Sequence, residues 1–386
     1  MDITNDIKFI GVNDHAIDLF EGQYVVPRGM AYNSYVIVDR QIAVMDSVDQ
    51  RFGEEWLRNL STTLGDRAPD FLVVQHMEPD HSASIDRFLA AYPRATVVAS
   101  DQAFTIMEQF FGKSIAPRRR IVKDGDTLDL GRHELHFVAA PMVHWPEVIV
   151  TYDATDKVLF SADGFGKFGA NDVEDPEGWD CEARRYYIGI VGKFGAQTQA
   201  LLKKATQLDI QTICPLHGPI LTGEAIAHAI EKYDIWSSYR VESPGVCIAY
   251  TSVYGHTKAA VELLRNELSR RNCPKIAMSD LARDDLPETV EDAFRYGKLV
   301  LATTTYNGGL FPFMQTFIDQ LVERGYRNRV LAFIENGSWA PMAARKMRER
   351  LAGLKEITFV EPVVTLRSAL DDTSRRLLTD LARALS

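Results

Sequence analysis

Four residues able to bind a metal fall within six positions in the stretch Gln75-His76-Met77-Glu78-Pro79-Asp80-His81. His76 and His81 offer imidazole nitrogens, and Glu78 and Asp80 offer carboxylate oxygens. The stretch follows the apolar run Phe71-Leu72-Val73-Val74 and precedes the amphipathic Ser82-Ala83-Ser84-Ile85, so it reads as strand, tight loop and helix start. A strand leaving into a loop splays alternate side chains toward two neighbouring points, which a single-ion site would not need. The plainer reading is a polar loop capping a helix through Asp80 or Ser82. Histidines and carboxylates at this spacing are, however, a ligand signature. The chemistry expected is that of a dinuclear metal site.

Three further candidates stand where apolar strands end: His144 after Leu135 to Ala139, Asp163 after Val158-Leu159-Phe160, and His217 after Ile213-Cys214. A rigid sheet that delivers one polar residue per strand end sets ligands along one rim. Taken singly each is weak, since a histidine after a strand is ordinarily a satisfied loop residue and Asp163-Gly164 is also a turn sequence. His133, His136 and His228 are read that way: the first two on a charged hairpin edge, the third on a helix away from any carboxylate cluster.

The second half of the chain carries a different chemistry. Thr251-Ser252-Val253-Tyr254-Gly255-His256-Thr257 follows an apolar strand and opens a helix. Its hydroxyls and the backbone N–H groups of a helix N-terminus form an anion cradle. The Gly-Lys-Ser/Thr ending of a nucleoside triphosphate loop is missing, as is Gly-x-Gly-x-x-Gly, so a monophosphate such as that of FMN fits better. Two more strand ends add Thr303-Thr304-Thr305-Tyr306-Asn307-Gly308 and Asn336-Gly337-Ser338-Trp339. Small residues there let backbone approach a planar ligand, and Tyr306 or Trp339 can stack on it. The alternatives are a hydroxyl-rich helix cap and aromatic lids on a core.

The elements that must position these residues change character along the chain. The first part is strand-rich, with a hairpin at Tyr35–Val38 and Ile42–Met45, a strand near 71–75, and one long helix over about 181–207. Strands and helices in this mixture predict an α/β sandwich of two helix-covered sheets. Ser243-Pro244-Gly245 resets the pattern to regular strand–helix alternation, which predicts a doubly wound parallel sheet. The expected domains are 1–243 and 244–386. At 386 residues each can bury its own core.

Composition narrows the function classes. Hydrophobic content of 46% with 25% charged residues belongs to an ordinary water-soluble chain, and no apolar run has the length to span a bilayer. The start, Met1-Asp2-Ile3-Thr4-Asn5-Asp6, lacks the form of a signal peptide, so a cytoplasmic chain away from membranes is expected. Net charge is −10 and spread, and Arg118-Arg119-Arg120 reads as a solvated edge, which argues against nucleic acid. Cys181, Cys214, Cys247 and Cys273 contain no Cys-x-x-Cys pair, so they read as reduced thiols and not as a rubredoxin-type centre.

The order of the first-domain ligands resembles the metallo-β-lactamase superfamily, whose usual opening motif is His-x-His-x-Asp-His and whose usual metal is zinc. Here Glu78 replaces the second histidine. Four imidazoles with three carboxylates suit iron or manganese better than an imidazole-dominated zinc site. A metallo-β-lactamase-like αββα sandwich followed by a flavodoxin-like domain resembles the flavodiiron protein family over nearly the whole chain. That resemblance implies two iron ions and FMN as cofactors. One iron would take His76, Glu78 and His144, the other Asp80, His81 and His217, with Asp163 bridging.

The resemblance further implies reduction of dioxygen to water, nitric oxide to nitrous oxide, or both; the two gases meet the same ligands. With no rubredoxin module before Ser386, an external electron donor is implied, a rubredoxin-like protein or reduced deazaflavin. Family members assemble as head-to-tail homodimers, so a dimer or dimer of dimers is expected. The stretch Glu182-Ala183-Arg184-Arg185-Tyr186-Tyr187 resembles the one that brings a tyrosine near the irons, and Tyr187 is the expected residue. Two other readings stand beside this one. The first is a zinc hydrolase fused to a flavodoxin-like domain, against which Glu78 argues. The second is a flavin electron carrier with a structural metal.

Overall fold

The computed structural model describes residues 2–112 and 118–386. The chain divides into two compact units, Met1–Asp234 and Ile235–Ser386.

The first unit holds two six-stranded sheets. In spatial order the first contains Ile7–Phe9, Tyr35–Val38, Ile42–Met45, Phe71–Val73, Thr96–Ala99 and Arg119–Ile121. The second contains Thr127–Asp129, Glu134–Ala139, Ile149–Asp153, Val158–Phe160, Thr212–Cys214 and Leu221–Thr222. Strand alternation explains the layering. Tyr35, Ile37, Ala43, Met45, Val73 and Val98 meet Leu135, Phe137, Ile149, Val158, Phe160 and Cys214 in one apolar cluster. Val36 and Val44 alternate away from that cluster and are buried as well, the mark of a sheet covered on both faces. Helices Gly53–Leu64, Ile85–Ala91 and Asp101–Phe111 link the parallel strands of the first sheet. Gly195–Ala205 sets Thr198, Leu202 and Ala205 over Val138, Val150 and Leu159 of the second. The result is the expected αββα sandwich.

The long helix expected over 181–207 is broken. Trp179–Tyr186 is α-helical, Tyr187–Val191 a π turn and Gly192–Phe194 a 3₁₀ turn before Gly195–Ala205 resumes. Gly189 sits against the Tyr24 ring, where an added Cβ would lie 2.8 Å from ring atoms. The π turn thus falls where the backbone meets another segment, a contact that sequence periodicity does not reveal.

The second unit is a parallel sheet in the order Ile276–Asp280, Ser243–Tyr250, Tyr296–Tyr306, Arg329–Asn336, Ile357–Phe359. That is the 2-1-3-4-5 order of flavodoxin-like folds. Ser243-Pro244-Gly245, expected as a turn, is instead the start of the first strand, with a register irregularity between Ser243 and Val246. A helix at Leu286–Arg295 and a strand at Val364–Leu366 went unforeseen. The second residue of the helix is Pro287, which reads as a turn residue but suits a first helical turn. The strand lies two residues beyond Pro362 and pairs with Ile334–Asn336.

Candidate metal centre and ligand cleft

The strand Phe71–Val73 runs out into Gln75 and His76, and Glu78 then caps the one-turn helix Pro79–Ser82 that carries Asp80 and His81. Neither Asp80 nor Ser82 is the cap. Pro79 holds the first helical position, whose N–H would be unpaired in any case.

The seven expected ligands come together in two adjoining groups, His76–Glu78–His144–Asp163 and Asp80–His81–His217. In the first, Glu78 Oε2 lies 3.2 Å from His76 Nε2 and 3.0 Å from His144 Nε2. In the second, Asp80 Oδ2 lies 3.3 Å from His81 Nε2 and 3.2 Å from His217 Nε2. Asp163 joins them. Its Oδ2 is 3.4 Å from His76 and 3.0 Å from His144, while its Oδ1 is 3.4 Å from His81 and 3.8 Å from His217.

A second layer of contacts holds these donors in place. Asp46, at φ 55°, accepts the amides of Gln75 (2.7 Å) and His76 (3.4 Å) and the Gln75 side-chain amide (2.8 Å). Burial raises the Asp46 carboxyl to about 6 against the opposing pull of those bonds. Ser47 Oγ donates to the His81 carbonyl at 2.7 Å, and His217 Nδ1 donates to the Ala31 carbonyl at 2.7 Å. A carbonyl can only accept, so the latter contact leaves the Nε2 lone pair of His217 facing Asp80. Ala162 and Phe165, on either side of Asp163, also have positive φ. Left-handed backbone at non-glycine residues costs about 1–3 kcal/mol each and persists where packing imposes it.

The electrostatics call for positive charge. Burial opposes a proton on His144, yet Asp163 and Glu78 carry its pKa up to about 9. His76 rises well above its ordinary value for the same kind of reason: burial pushes down, and Asp163, Glu147 and Glu78 push up harder. Both oxygens of Asp80 and of Asp163 are buried without a properly directed hydrogen bond. His81 Nε2 and His217 Nε2 face each other at 3.0 Å. Convergent nitrogens and orphaned carboxylate oxygens fit the donor set that divalent cations need.

Tyr187 packs its ring on Tyr233 at 5.0 Å, whereas Tyr186 sits with its ring centre 5.4 Å from that of His217. Burial, then the charges of Asp163, Glu78 and Asp80, hold the Tyr186 hydroxyl well above its ordinary pKa. One residue along a helix is about 100° of rotation, which sequence resemblance alone does not fix. Glu147 and Asp46 were also missed. Glu147 follows His144 by three residues, and that spacing was an available signal.

His133 departs from its expected place on a charged edge. It is buried, with Nδ1 3.0 Å from Asp153 and Nε2 3.2 Å from Asp6. With Asp153 and Asp156 it forms a third cluster of ligand-type groups. Arg132 pairs with Asp6 and, at 2.6 Å, with Asp156, so the cluster supplies its own countercharge. His136 remains at the surface, and His228 bonds Asp180 at 2.5 Å.

In the second unit a cleft of about 730 Å³ opens at the carboxyl ends of the strands. Its lining includes Ser252, Val253, Tyr254, His256, Thr257, Thr304, Thr305, Tyr306, Asn307, Gly308, Asn336, Gly337, Ser338 and Trp339. Thr251 and Thr303 are not in the lining; they are buried and bond each other at 2.6 Å. Gly255, at φ 91°, heads the helix His256–Arg270. Ser252 Oγ accepts from the amides of Gly255 and Lys258. Ser368, unforeseen, also lines the cleft, where its amide donates to Asn336 Oδ1 at 3.1 Å. Hydroxyls at a helix N-terminus beside exposed aromatics fit a planar ring bearing a phosphate.

Comparison with known proteins agrees with this architecture. Residues 30–218 match the family model described as ODP family beta lactamase. A nitric oxide reductase from Moorella thermoacetica is 29% identical over 374 residues, covering 95% of this chain and 92% of the relative. An anaerobic nitric oxide reductase flavorubredoxin from Vibrio vulnificus is 26% identical, covering 90% of this chain and 72% of the relative. Among solved structures, the rubredoxin oxygen:oxidoreductase of Desulfovibrio gigas superimposes with a TM-score of 0.94 at 22% identity, covering 100% and 97% of the two chains. The flavodiiron protein of Giardia intestinalis gives 0.89 at 25% identity, covering 100% and 96%. The chain, with its paired metal-ligand groups on an αββα rim and its flavodoxin-like sheet, is thus similar over nearly its whole length to nitric oxide reductases and flavodiiron proteins.

Proposed function

We propose that two iron ions bind at the rim, one held by His76, Glu78 and His144 and the other by Asp80, His81 and His217, with Asp163 between them. FMN fills the cleft of the second unit. The chain reduces dioxygen to water, nitric oxide to nitrous oxide, or both, using electrons from an external donor such as a rubredoxin-like protein or reduced deazaflavin. When bound, the flavin supplies single electrons and the iron pair supplies the redox centre at which the gas is reduced. The chain's own part is geometric. Asp46 and Glu147 fix the ligand loop, and Asp163 turns one oxygen toward each group. Phe20 and Trp145, edge-on to His217 and His76, restrict water around the donors. Tyr186 offers a neutral hydroxyl beside His217, which makes it a better candidate than Tyr187 for contact with the gas pocket.

The observation that carries this reading is Asp163, with Oδ2 toward one His–carboxylate group and Oδ1 toward the other. The test is anaerobic reduction of the purified protein, then rapid mixing with each gas while flavin and iron absorption are followed. Reoxidation of both chromophores with consumption of gas is expected. Two zinc ions after iron-replete growth, with hydrolase activity and no gas consumption, would overturn the reading.

Assembly as a head-to-tail dimer belongs to the same proposal. Trp339 and Tyr254, at the cleft, are 91% and 90% exposed in the single chain, and a second copy would cover such a surface. Sedimentation that gives a monomer at micromolar concentration would exclude it. No helix among the described residues is long and apolar enough to cross a membrane, in keeping with the cytoplasmic location we propose.

A further inference from the structure

Glu147 is buried to 2% exposure and follows His144 by three residues. Its Oε1 lies 2.9 Å from His76 Nδ1 and also accepts the Met77 amide at 2.9 Å. Its Oε2 is buried with no hydrogen-bond partner. A half-satisfied buried carboxyl is destabilising unless its charge is answered nearby. The nearest answer is the imidazole it touches, whose other nitrogen points at Glu78 and Asp163.

Two consequences follow from that contact. A proton on Nδ1 shared with Glu147 leaves the Nε2 lone pair facing the metal groups, and a carboxylate behind an imidazole makes that lone pair more basic. Because one oxygen takes both the ring N–H and the next backbone amide, Glu147 is itself anchored to the loop, and His76 cannot flip its ring without breaking the bond to it. Glu147 also ties the His76 loop to the segment that carries His144, so two ligands of one group share a single buttress.

The other group is held differently. His217 Nδ1 donates to a neutral carbonyl, that of Ala31. His81 Nδ1 is buried with no hydrogen-bond partner. Among the described residues, carboxylate backing of a histidine ligand is therefore present in one group and not in the other.

We infer that Glu147 is a positioning residue that fixes His76 and makes the two metal positions unequal, the His76–Glu78–His144 position holding its ion the more tightly. This rests on the reading of those residues as ligands. The test uses the metal-free full-length chain titrated with cobalt(II), whose visible bands report coordination, in competition with a chelator. Wild type is expected to bind two equivalents of different affinity. Glu147→Gln, which keeps shape and removes charge, is expected to weaken the tighter equivalent by roughly 10- to 100-fold and leave the weaker one unchanged. In a Glu78→Ala background, which removes the first position, Glu147→Gln is expected to have no further effect on the remaining equivalent.

Equal weakening of both equivalents by Glu147→Gln would overturn the inference. So would a lowered melting temperature of the metal-free chain with the affinity ratio intact, since that marks a purely structural role. Two equivalents in wild type that Glu147→Gln does not change would overturn it while leaving the ligand reading standing. Failure of wild type to bind cobalt at all would overturn both.

Discussion

In the first unit the candidate ligand side chains reach their rim almost fully buried, Glu78 being the most exposed of them at 15%. In the second unit the aromatic residues of the cleft stand in solvent, Trp339 at 91% and Tyr254 at 90%. Both sites sit at the carboxyl ends of strands, yet one is closed and the other open. The difference suits what each is proposed to hold. A metal pair needs several charged donors fixed and dehydrated, which requires a supporting layer of Asp46, Glu147, Ser47 and the Ala31 carbonyl, and left-handed backbone beside Asp163. A planar ring with a phosphate needs hydroxyls, amides and a flat space, which three short loops supply with little support. Substitutions at the rim should therefore act all-or-none, and those in the cleft should be graded.

The largest effect is expected at Asp163. Asp163→Ala removes the oxygens that face both groups, so both ions should be lost while flavin stays bound. Metal analysis and the flavin spectrum of the same sample check this. Retention of one ion would show that the two groups are more independent than their shared carboxylate implies. Glu78→Ala, by contrast, should cost one ion.

Thr257→Val comes next. Thr257 is buried in the cleft lining, 3.4 Å from Thr304 Oγ1. Loss of a hydrogen bond to a charged phosphate costs about 1.5–3 kcal/mol, so the flavin dissociation constant should rise by roughly 10- to 100-fold with metal content unchanged. Fluorescence titration of the flavin-free protein measures it, and an unchanged constant would move the phosphate to another loop. Trp339→Ala, at an exposed position, should shift flavin potential more than affinity.

A smaller effect tests the packing behind the rim. Gly189→Ala would push a Cβ to 2.8 Å from the Tyr24 ring, and overpacking of this kind costs about 1–3 kcal/mol. Thermal unfolding should show a lowered midpoint for the first unit alone.

The smallest effect concerns the opposite end of the same sheets, where His133, Asp6 and Asp153 form their ion cluster. Burial works against a charge on His133, but its bond to Asp153 and the surrounding carboxylates raise its pKa. Its stabilisation is then complete below the ordinary histidine value near 6.5 and is lost as pH rises through the higher folded value. The His133 bond, working against burial, lowers the Asp6 pKa, so that contribution is present above the ordinary Asp value near 3.8 and is lost as pH falls through the lower folded value. Stability from this cluster should therefore be full from about pH 4 to 6.5, with losses on the order of 1 kcal/mol outside that window. His133→Asn should flatten the alkaline side of the melting-temperature profile; an unchanged profile would remove the cluster from the account.

The ligand types and their order along the chain were legible because each occupies the first loop after an apolar strand, and strand ends are local features. His76-x-Glu78-x-Asp80-His81 and the hydroxyl loop at 251–257 could be read for the same reason: a few adjacent residues carry the whole signal. The doubly wound parallel sheet of the second unit was equally accessible, since regular alternation of strands and helices calls for one, although its strand order was not. What the sequence could not decide was contact between distant segments. Tyr186 lies beside His217 just before the π turn at Tyr187–Val191, where Gly189 meets Tyr24. The register of Ser243–Tyr250 drew an apparent turn into a strand. The grip of Glu147 on His76 joins residues 71 positions apart. Local chemistry named the donors, and only tertiary packing, which ties each donor to a partner far along the chain, decided how they are oriented and which of them are reinforced.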